Sequence, residues 1–490
     1  MITQKIFEFY PQLSLIRDVL KGRRHRVFLV GGALRDYYLN RCGHDFDFAV
    51  DKGAIRLARH LARHVKGTFV KLDDEHGSAR VVKRIQGVIW TFDLTDWRSK
   101  SIEKDLSLRD FTINALALDV RQCSGVPVIL EVKGARRDLK AGVVRMTCAG
   151  VFKDDPLRLL RAFTLRATLG FKIERQTCAQ IKKDAHLIPH AAMERIRDEI
   201  FKILTSPRAY ETLCAMDRIG LLSYIIPQTE VMQGFLQGGY HHLDVWQHSL
   251  ETIAQLEKIF PKLNENERMK VYLHEIVGGG HARYALLKMA ALLHDIGKPE
   301  TARQEGSRMT FHGHEHAGER ITRLVAKQLK LSVKERFFLE DAVRMHLRPG
   351  YVSNFKRPSE KMIFRFLRDA KDEAVSLAVL ALADQAATCG PLTTTLKHKH
   401  HAKICHMLID RYFKRTQQPL QQRLLTGHDL IKVLKLKPSP LFGKILSSVE
   451  EAAALGKIKT KEEALTLARK MIVSLRPTKQ SLFTPLPHRA

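Results

Sequence analysis

Short apolar runs separated by turn residues dominate the first 145 or so positions of the chain. HRVFLVGG, FDFAV, GTFVKL, SARVVKR and VIWTFDL each read as a strand, with helical stretches between them. From about Val151 to Gly390 the apolar positions recur at helical spacing, with breaks predicted at SPRAY, at Gly278 to Gly280 and at RPGYVSNFKRP. Helical segments such as EEAAALGKIKTKEEALTLARKM continue beyond Leu392, and LRPTKQSLFTPLPHRA predicts a loose tail. The pattern predicts an α+β multidomain chain: a small mixed-sheet head followed by an all-α remainder. At 490 residues, about three domains of roughly 150 residues are expected, and no solenoid repeat is visible.

The strand pattern also places chemistry. Side chains at i and i+2 share a face of a strand, so Asp45 and Asp47 project together while Phe46 enters the core. Two such carboxylates can hold divalent metal. Gly31-Gly32 lies just upstream, ahead of a predicted helix, where the backbone can approach a triphosphate. On the strand from Val88 to Thr95, Trp90, Phe92 and Leu94 take one face and leave Asp93 on the other as a candidate third carboxylate. A bare Asp-x-Asp is usually a solvated strand edge; the preceding glycines and the motifs that follow turn the reading toward catalysis.

Charge narrows the class of partner. Lys+Arg 82 against Asp+Glu 52 leaves +30, a surplus that predicts a polyanionic partner, foremost nucleic acid. Residues 392–490 hold 19 basic and 6 acidic residues, so +13 of the surplus lies in the last fifth. The seven cysteines are scattered and never spaced as a metal clip, which predicts free thiols in a reducing, cytoplasmic setting. The amino-terminal stretch has Lys5, Glu8, Arg17 and Asp18 among its apolar residues, and no long uncharged run follows, so neither a signal peptide nor membrane insertion is expected.

GGALRD (Gly31 to Asp36), HDFDFAV (His44 to Val50) and LRDFTINALAL (Leu108 to Leu118) together resemble class II tRNA nucleotidyltransferases and the related bacterial poly(A) polymerases, which have a polymerase-β-like head. The resemblance continues through GARRDLKAGVVR, DDPLRLLRAFTLRATLGF and ERIRDEIFKIL. It implies Mg²⁺ on the catalytic Asp45 and Asp47, with Asp93 as a further candidate, and a triphosphate at Gly31, Gly32 and Arg35. It places Arg109 and Asp110 at the ribose and phosphates of the incoming nucleotide, with Asn114 in support. The family more often carries Arg where this chain has Leu108; the departure bears on a nucleotide contact and not on the fold. Asp155 can cap a helix that Pro156 begins, with Arg158 one turn on. The resemblance makes this pair the reader of the base, because Asp accepts from the exocyclic amine shared by cytosine and adenine and Arg donates as a fork. Glu194, Arg197 and Asp198 read as a salt-bridged structural helix.

Downstream, DVWQHSL, ALLHDIGKP, TFHGHEHAG, RMHLRP and LALADQA place His248, His294, Asp295, His314, His346 and Asp384 in or beside apolar helical segments. Imidazole and carboxylate converging inside a bundle suit a divalent transition metal of unspecified identity. The five segments resemble the HD phosphohydrolase superfamily. The resemblance makes His248, His294, Asp295 and Asp384 the primary ligands, with His314 and His346 extending the site; His241, His242, His312 and His316 are expected only to flank it. It implies phosphatase, nucleotidase or 2′,3′-cyclic phosphodiesterase action.

The stretch from Leu424 to Leu465 resembles the carboxy-terminal region of HD-bearing members of the nucleotidyltransferase group, and its lysines and GHDL turn suit phosphate contact without sequence readout. The expected segments are 1–145 (head), 146–225 (neck and body with the base-selecting motif), 226–390 (HD-type domain) and 391–490 (basic RNA-binding region and tail). The function expected is CCA addition to the 3′ end of tRNA from CTP and ATP, with A-only, CC-only and poly(A) addition as sibling readings. The rivals of other classes are an HD phosphohydrolase with a vestigial head and a silent RNA-binding protein. The oligomeric state is not legible.

Overall fold

The computed structural model describes residues 2–121, 129–239, 242–306, 308–417 and 423–474. These form two compact units, one of residues 1–230, 279–285 and 325–332 and the other of residues 231–278, 286–324 and 333–490. Among the described residues, no helix is long and apolar enough to cross a membrane.

The first unit opens with a seven-stranded mixed sheet. Its strands are β1 (Val27–Val30), β2 (Asp45–Val50), β3 (Thr68–Asp73), β4 (Ser78–Ile85), β5 (Val88–Asp96), β6 (Leu116–Asp119) and β7 (Ile129–Glu131), in the order β3-β4-β5-β2-β1-β6-β7. The first five are the strands predicted. All four residues of β1 are buried because it is central and covered on both faces. Val27 and Leu29 join Phe46, Phe48 and Phe92 under the helices Leu13–Leu20 and Ala54–Val65; Phe28 and Val30 meet Ile102 and Leu106 on the opposite face. β6 and β7 escape the sequence reading. LALD is buried at three of its four positions, so it lacks the alternation that marks a half-exposed strand.

Phe46 locks β2 in register between its two aspartates. It is 1% exposed and stacks on Trp90 at 5.5 Å and 17°, with Tyr10 edge-on at 5.2 Å. Phe46→Ala is expected to cost about 3–5 kcal/mol in urea unfolding; a loss below about 1 kcal/mol contradicts this packing.

The rest of the first unit is helical. Leu157–Leu169 packs against Met193–Thr205, and the SPR sequence separates the latter from Ala209–Asp217 as expected. In the second unit, Val245–Leu263, Ala374–Ala387 and Thr395–Thr416 pack in succession. The helical break expected at Gly278 to Gly280 is present, between the helices Glu267–His274 and Arg283–Leu293. Two local expectations need correction. RPGYVS is a short helix, Arg348–Ser353, because Pro349 sits in its first turn, where no backbone donor is lost. GHDL opens the helix Gly427–Lys432: Thr426 and Asp429 cap it reciprocally, and Asp429 pairs with Lys461 at 2.5 Å. The 475–490 tail, Cys123 and His241 lie outside the described residues. The other six cysteines are free.

Candidate functional sites

At the open end of β1 the chain turns at Gly31 into the helix Gly32–Tyr38. Gly31 has φ +75°, a conformation that L side chains rarely adopt. A Cβ there would stand 3.4 Å from Asp47 Oδ2 and 3.6 Å from Arg109 Nη1, so glycine keeps the space beside the carboxylate open.

Asp45 and Asp47 are exposed side by side while Phe46 is buried between them, as the alternation predicts. Parallel pairing of β2 with β5 sets Asp47 directly opposite Asp93, and Asp45 opposite Thr91, whose hydroxyl donates to the Asp45 carboxylate. Although its edge meets solvent, Asp47 is hemmed in by protein, which raises its pKa by desolvation; Arg109 opposes the shift, while Asp93 and Asp45 add to it. Such a carboxylate cluster favours a cation.

Asp93 is not free. Arg80, its cross-strand neighbour on β4, donates Nε and Nη2 to its two oxygens at 2.7 Å each. Sequence reasoning missed Arg80 because the partner comes from strand pairing, 13 residues away.

A second network stands beside Gly31, whose Cβ position lies within 4.0 Å of Arg109 and Asn114. Arg35 donates to Asn114 Oδ1 at 2.8 Å, Asn114 donates to Asp110 Oδ1 at 3.1 Å, and Arg161 pairs with Asp110 Oδ2 at 3.0 Å. Burial alone would raise the Asp110 carboxyl, but Arg161, the Asn114 amide and the Phe111 N–H hold it below its ordinary value. Arg109 reaches Asp105 at 3.3 Å. The structure thus brings Arg35, Asp110 and Asn114 together, and Arg161, which sequence reasoning missed, joins them; its spacing of three from Arg158 could have flagged it.

Asp155 and Arg158 do not face each other as a pair. Asp155 is extended, accepts the Leu157 N–H at 3.2 Å, and is gripped by both amino groups of Arg195 at 3.3 and 2.9 Å. Arg158 is buried and donates Nη1 to the carbonyls of Leu108 and Val151 at 3.0 and 3.2 Å. Position 108 thus contributes its backbone. Arg195, 40 residues from Asp155, gave no signal of this contact in the sequence.

In the second unit six side chains converge. His248, His294 and Asp384 form one triad and Asp295, His314 and His346 another, each offering ligand atoms within 4.8 Å of one another. Asp295 connects them: its Oδ2 is 3.2 Å from His294 Nε2 and 3.7 Å from His248 Nε2, and its Oδ1 is 3.5 Å from His314 Nε2 and 3.7 Å from His346 Nε2. His248 Nε2 lies 3.0 Å from Asp384 Oδ1.

Local helix geometry aims the rings. Nδ1 of His294, His314 and His346 lies 2.8, 2.8 and 2.6 Å from the carbonyls of Ala291, Phe311 and Val343. A carbonyl only accepts, so each Nδ1 carries the proton and each Nε2 turns inward. Gly297 lets the segments meet: a Cβ there would fall 2.2 Å from the His314 carbonyl oxygen.

Burial would lower the His294 pKa, yet Asp295 and Asp384 raise it to about 10; burial and the His294 charge push His346 down to about 3. Both carboxylates sit well below their ordinary range against the cost of burial: Asp295 through His294 and Lys298, Asp384 through His248 and His294. His294 Nε2 is buried with no hydrogen bond among the described residues. That orphaned nitrogen between two carboxylates fits a divalent transition cation. Sequence reasoning missed Lys298, whose ammonium sits 2.6 Å from both Asp295 Oδ2 and Gln237 Oε1; its spacing of three from Asp295 could have flagged it. His242, His312 and His316 are exposed and belong to neither triad.

Comparison with known proteins accounts for most of the chain. The family described as "Poly A polymerase head domain" matches residues 27–145, and "Probable RNA and SrmB- binding site of polymerase A" matches 170–232. An HD domain matches 245–388, and "tRNA nucleotidyltransferase domain 2 putative" matches 380–468. The A-adding tRNA nucleotidyltransferase of Deinococcus radiodurans is 32% identical over 451 residues, covering 89% of this chain and 93% of that protein. The CC-adding tRNA nucleotidyltransferase of Thermus thermophilus is 31% identical, covering 89% and 92%. The fold is shared with the Thermotoga maritima CCA-adding enzyme solved with tRNA, at TM-score 0.59 and 19% identity, covering 95% of each chain.

Proposed function

Because this chain belongs to the family of class II tRNA nucleotidyltransferases and poly(A) polymerases, we propose that it adds C and A to the 3′ end of tRNA from CTP and ATP, completing the CCA end. The observation that carries this reading is the exposed Asp45 and Asp47 pair at the glycine turn, with Gly31 leaving room beside Asp47 Oδ2. Magnesium on these two carboxylates, when bound, supplies activation of the RNA 3′-hydroxyl and stabilisation of the departing pyrophosphate. Asp93, tied to Arg80, orients that arginine beside the pair and leaves Asp45 and Asp47 as the principal ligands.

The chain's own groups hold the rest of the reactant. Gly31, Gly32 and Arg35 receive the triphosphate, and Arg109, Asp110 and Asn114 receive the ribose and phosphates. Asp155 and Arg158 select the base. Arg158 keeps donors beyond Nη1, and the Asp155 carboxylate has lone pairs beyond those that Arg195 occupies. Residues 1–145 form the transfer head, 146–225 the selecting neck, 226–390 the HD region, and 391–490 a basic grip for RNA.

Incorporation of labelled CTP, ATP, UTP and GTP into tRNA lacking its 3′ end tests the selection. C and A are expected to enter, and Asp155→Ala is expected to reduce preference for CTP over UTP by about 10- to 100-fold. Equal use of all four nucleotides by the parent chain overturns the protein template.

The full-length relatives named as A-adding and CC-adding favour a second reading, in which the chain performs only one part of the addition. A separate hydrolytic activity at the HD centre is supported by the two ligand triads, which Asp295 of the second links through its contact with His294 of the first. Its substrates are phosphate esters of nucleotides or RNA ends.

A further inference from the structure

The cavity beside the HD ligands is also lined by residues outside the two ligand triads. It encloses about 290 Å³, with Asp295, His314, His346 and Asp384 in its lining. Thr393, Thr394, Lys397 and His398 line it as well, where the helix Thr395–Thr416 begins. A cavity of this size is at the small end of ligand pockets and suits one nucleotide end rather than a folded RNA.

Several independent features of this lining favour an anion. The helix is 22 residues long with no acidic residue in its first turn, so its partial positive charge is unopposed. Thr394 fixes the turn, since its hydroxyl accepts from the Lys397 N–H at 3.3 Å. Lys397 makes no ion pair among the described residues, and the cavity has no carboxylate besides Asp295 and Asp384. His398 carries a buried Nε2 with no hydrogen-bond partner among the described residues. Lys298 adds a second ammonium, tethered by Gln237.

We propose that Lys397 and His398 form the phosphoryl seat of this centre, holding the phosphate oxygens of a nucleotide or RNA end against the ligand triads. This assignment rests on the hydrolase reading and adds residues outside the ligand set.

The test uses the full-length chain carrying Asp45→Ala and Asp47→Ala, so that the head carboxylates take up no cation. Co²⁺ is added, and its visible bands are followed while inorganic phosphate is titrated. The parent is expected to bind Co²⁺ and to shift its bands saturably with phosphate. Lys397→Ala with His398→Ala is expected to hold Co²⁺ within about 2-fold of the parent and to weaken phosphate by about 10- to 100-fold, as for loss of charge-assisted hydrogen bonds. Lys397→Arg, with His398 intact, is expected to retain most of the phosphate affinity. Cytidine 3′-phosphate and an oligoribonucleotide ending in a 3′-phosphate separate the two sources: competition by either supports the seat and names its ligand.

Unchanged phosphate affinity in the double alanine variant, with Co²⁺ still bound, overturns the seat and leaves the hydrolase reading standing. Loss of Co²⁺ from that variant also overturns it, by making these residues part of the metal cage. A parent that binds no Co²⁺ removes both readings.

Discussion

Asp47→Asn is expected to leave a folded protein whose nucleotide addition to tRNA falls by about 10³-fold or more. The amide keeps the size and position of the side chain and removes the charge that would hold magnesium, at a cost of several kcal/mol in the transition state. Stability is expected to move the other way or not at all. Asp47 faces Asp93 across the β2–β5 pairing and stands beside Asp45, and its raised pKa means that the fold disfavours its charge. The melting temperature of the variant is therefore expected to equal or slightly exceed that of the parent. Single-turnover transfer from labelled CTP or ATP, beside a thermal melt, measures both. Transfer within tenfold of the parent contradicts the role given to Asp47.

Asp295→Asn is expected to give the opposite pattern. Asp295 is 2% exposed, faces four imidazoles and pairs with Lys298 at 2.6 Å, so the substitution leaves a buried ammonium without its carboxylate. Without added metal, unfolding free energy is expected to drop by about 3–5 kcal/mol, the usual penalty for breaking a buried pair. Because Asp295 belongs to one triad and reaches His294 and His248 of the other, cation affinity at this centre is expected to fall by at least about 100-fold. Nucleotide addition is expected to persist at a temperature where the variant stays folded, since its carboxylates are Asp45 and Asp47. Denaturant unfolding with a chelator and Co²⁺ titration read the two losses. An unchanged cation affinity removes Asp295 from the ligand set.

The two centres differ in how far the sequence revealed them. Asp45 and Asp47 were legible because period-two alternation fixes a shared face once Phe46 is assigned to the core. Asp93 was legible as a face and not as an ion pair: Arg80 reaches it only through β4–β5 pairing, which no local pattern encodes. Asp155 and Arg158 have helical spacing, yet Asp155 precedes the helix in extended conformation and turns to Arg195, while Arg158 turns to backbone carbonyls. Spacing of three places two residues on one side only when both lie inside the helix.

The HD ligands were named from ordered motifs, which carried residue types but not the connection through Asp295. That connection depends on the close approach of Gly297 to the His314 turn and on ring nitrogens oriented by carbonyls within each helix. Lys298 lay in plain view in the HDIGKP segment, and only the structure shows its ammonium between Asp295 and Gln237. β6 was hidden for a related reason, since burial on both faces erases the alternation by which a strand is read.

The most direct test of nucleotide addition is extension of end-labelled tRNAs lacking CCA, CA or only the final A, with Mg²⁺ and CTP and ATP singly and together. Each tRNA is expected to be extended to CCA and to stop there, with Asp45→Ala and Asp47→Ala abolishing every product. Products that stop at CC, or extension only of the tRNA lacking the final A, would assign the chain a single part of the addition. No extension of any tRNA would contradict nucleotide addition by this chain.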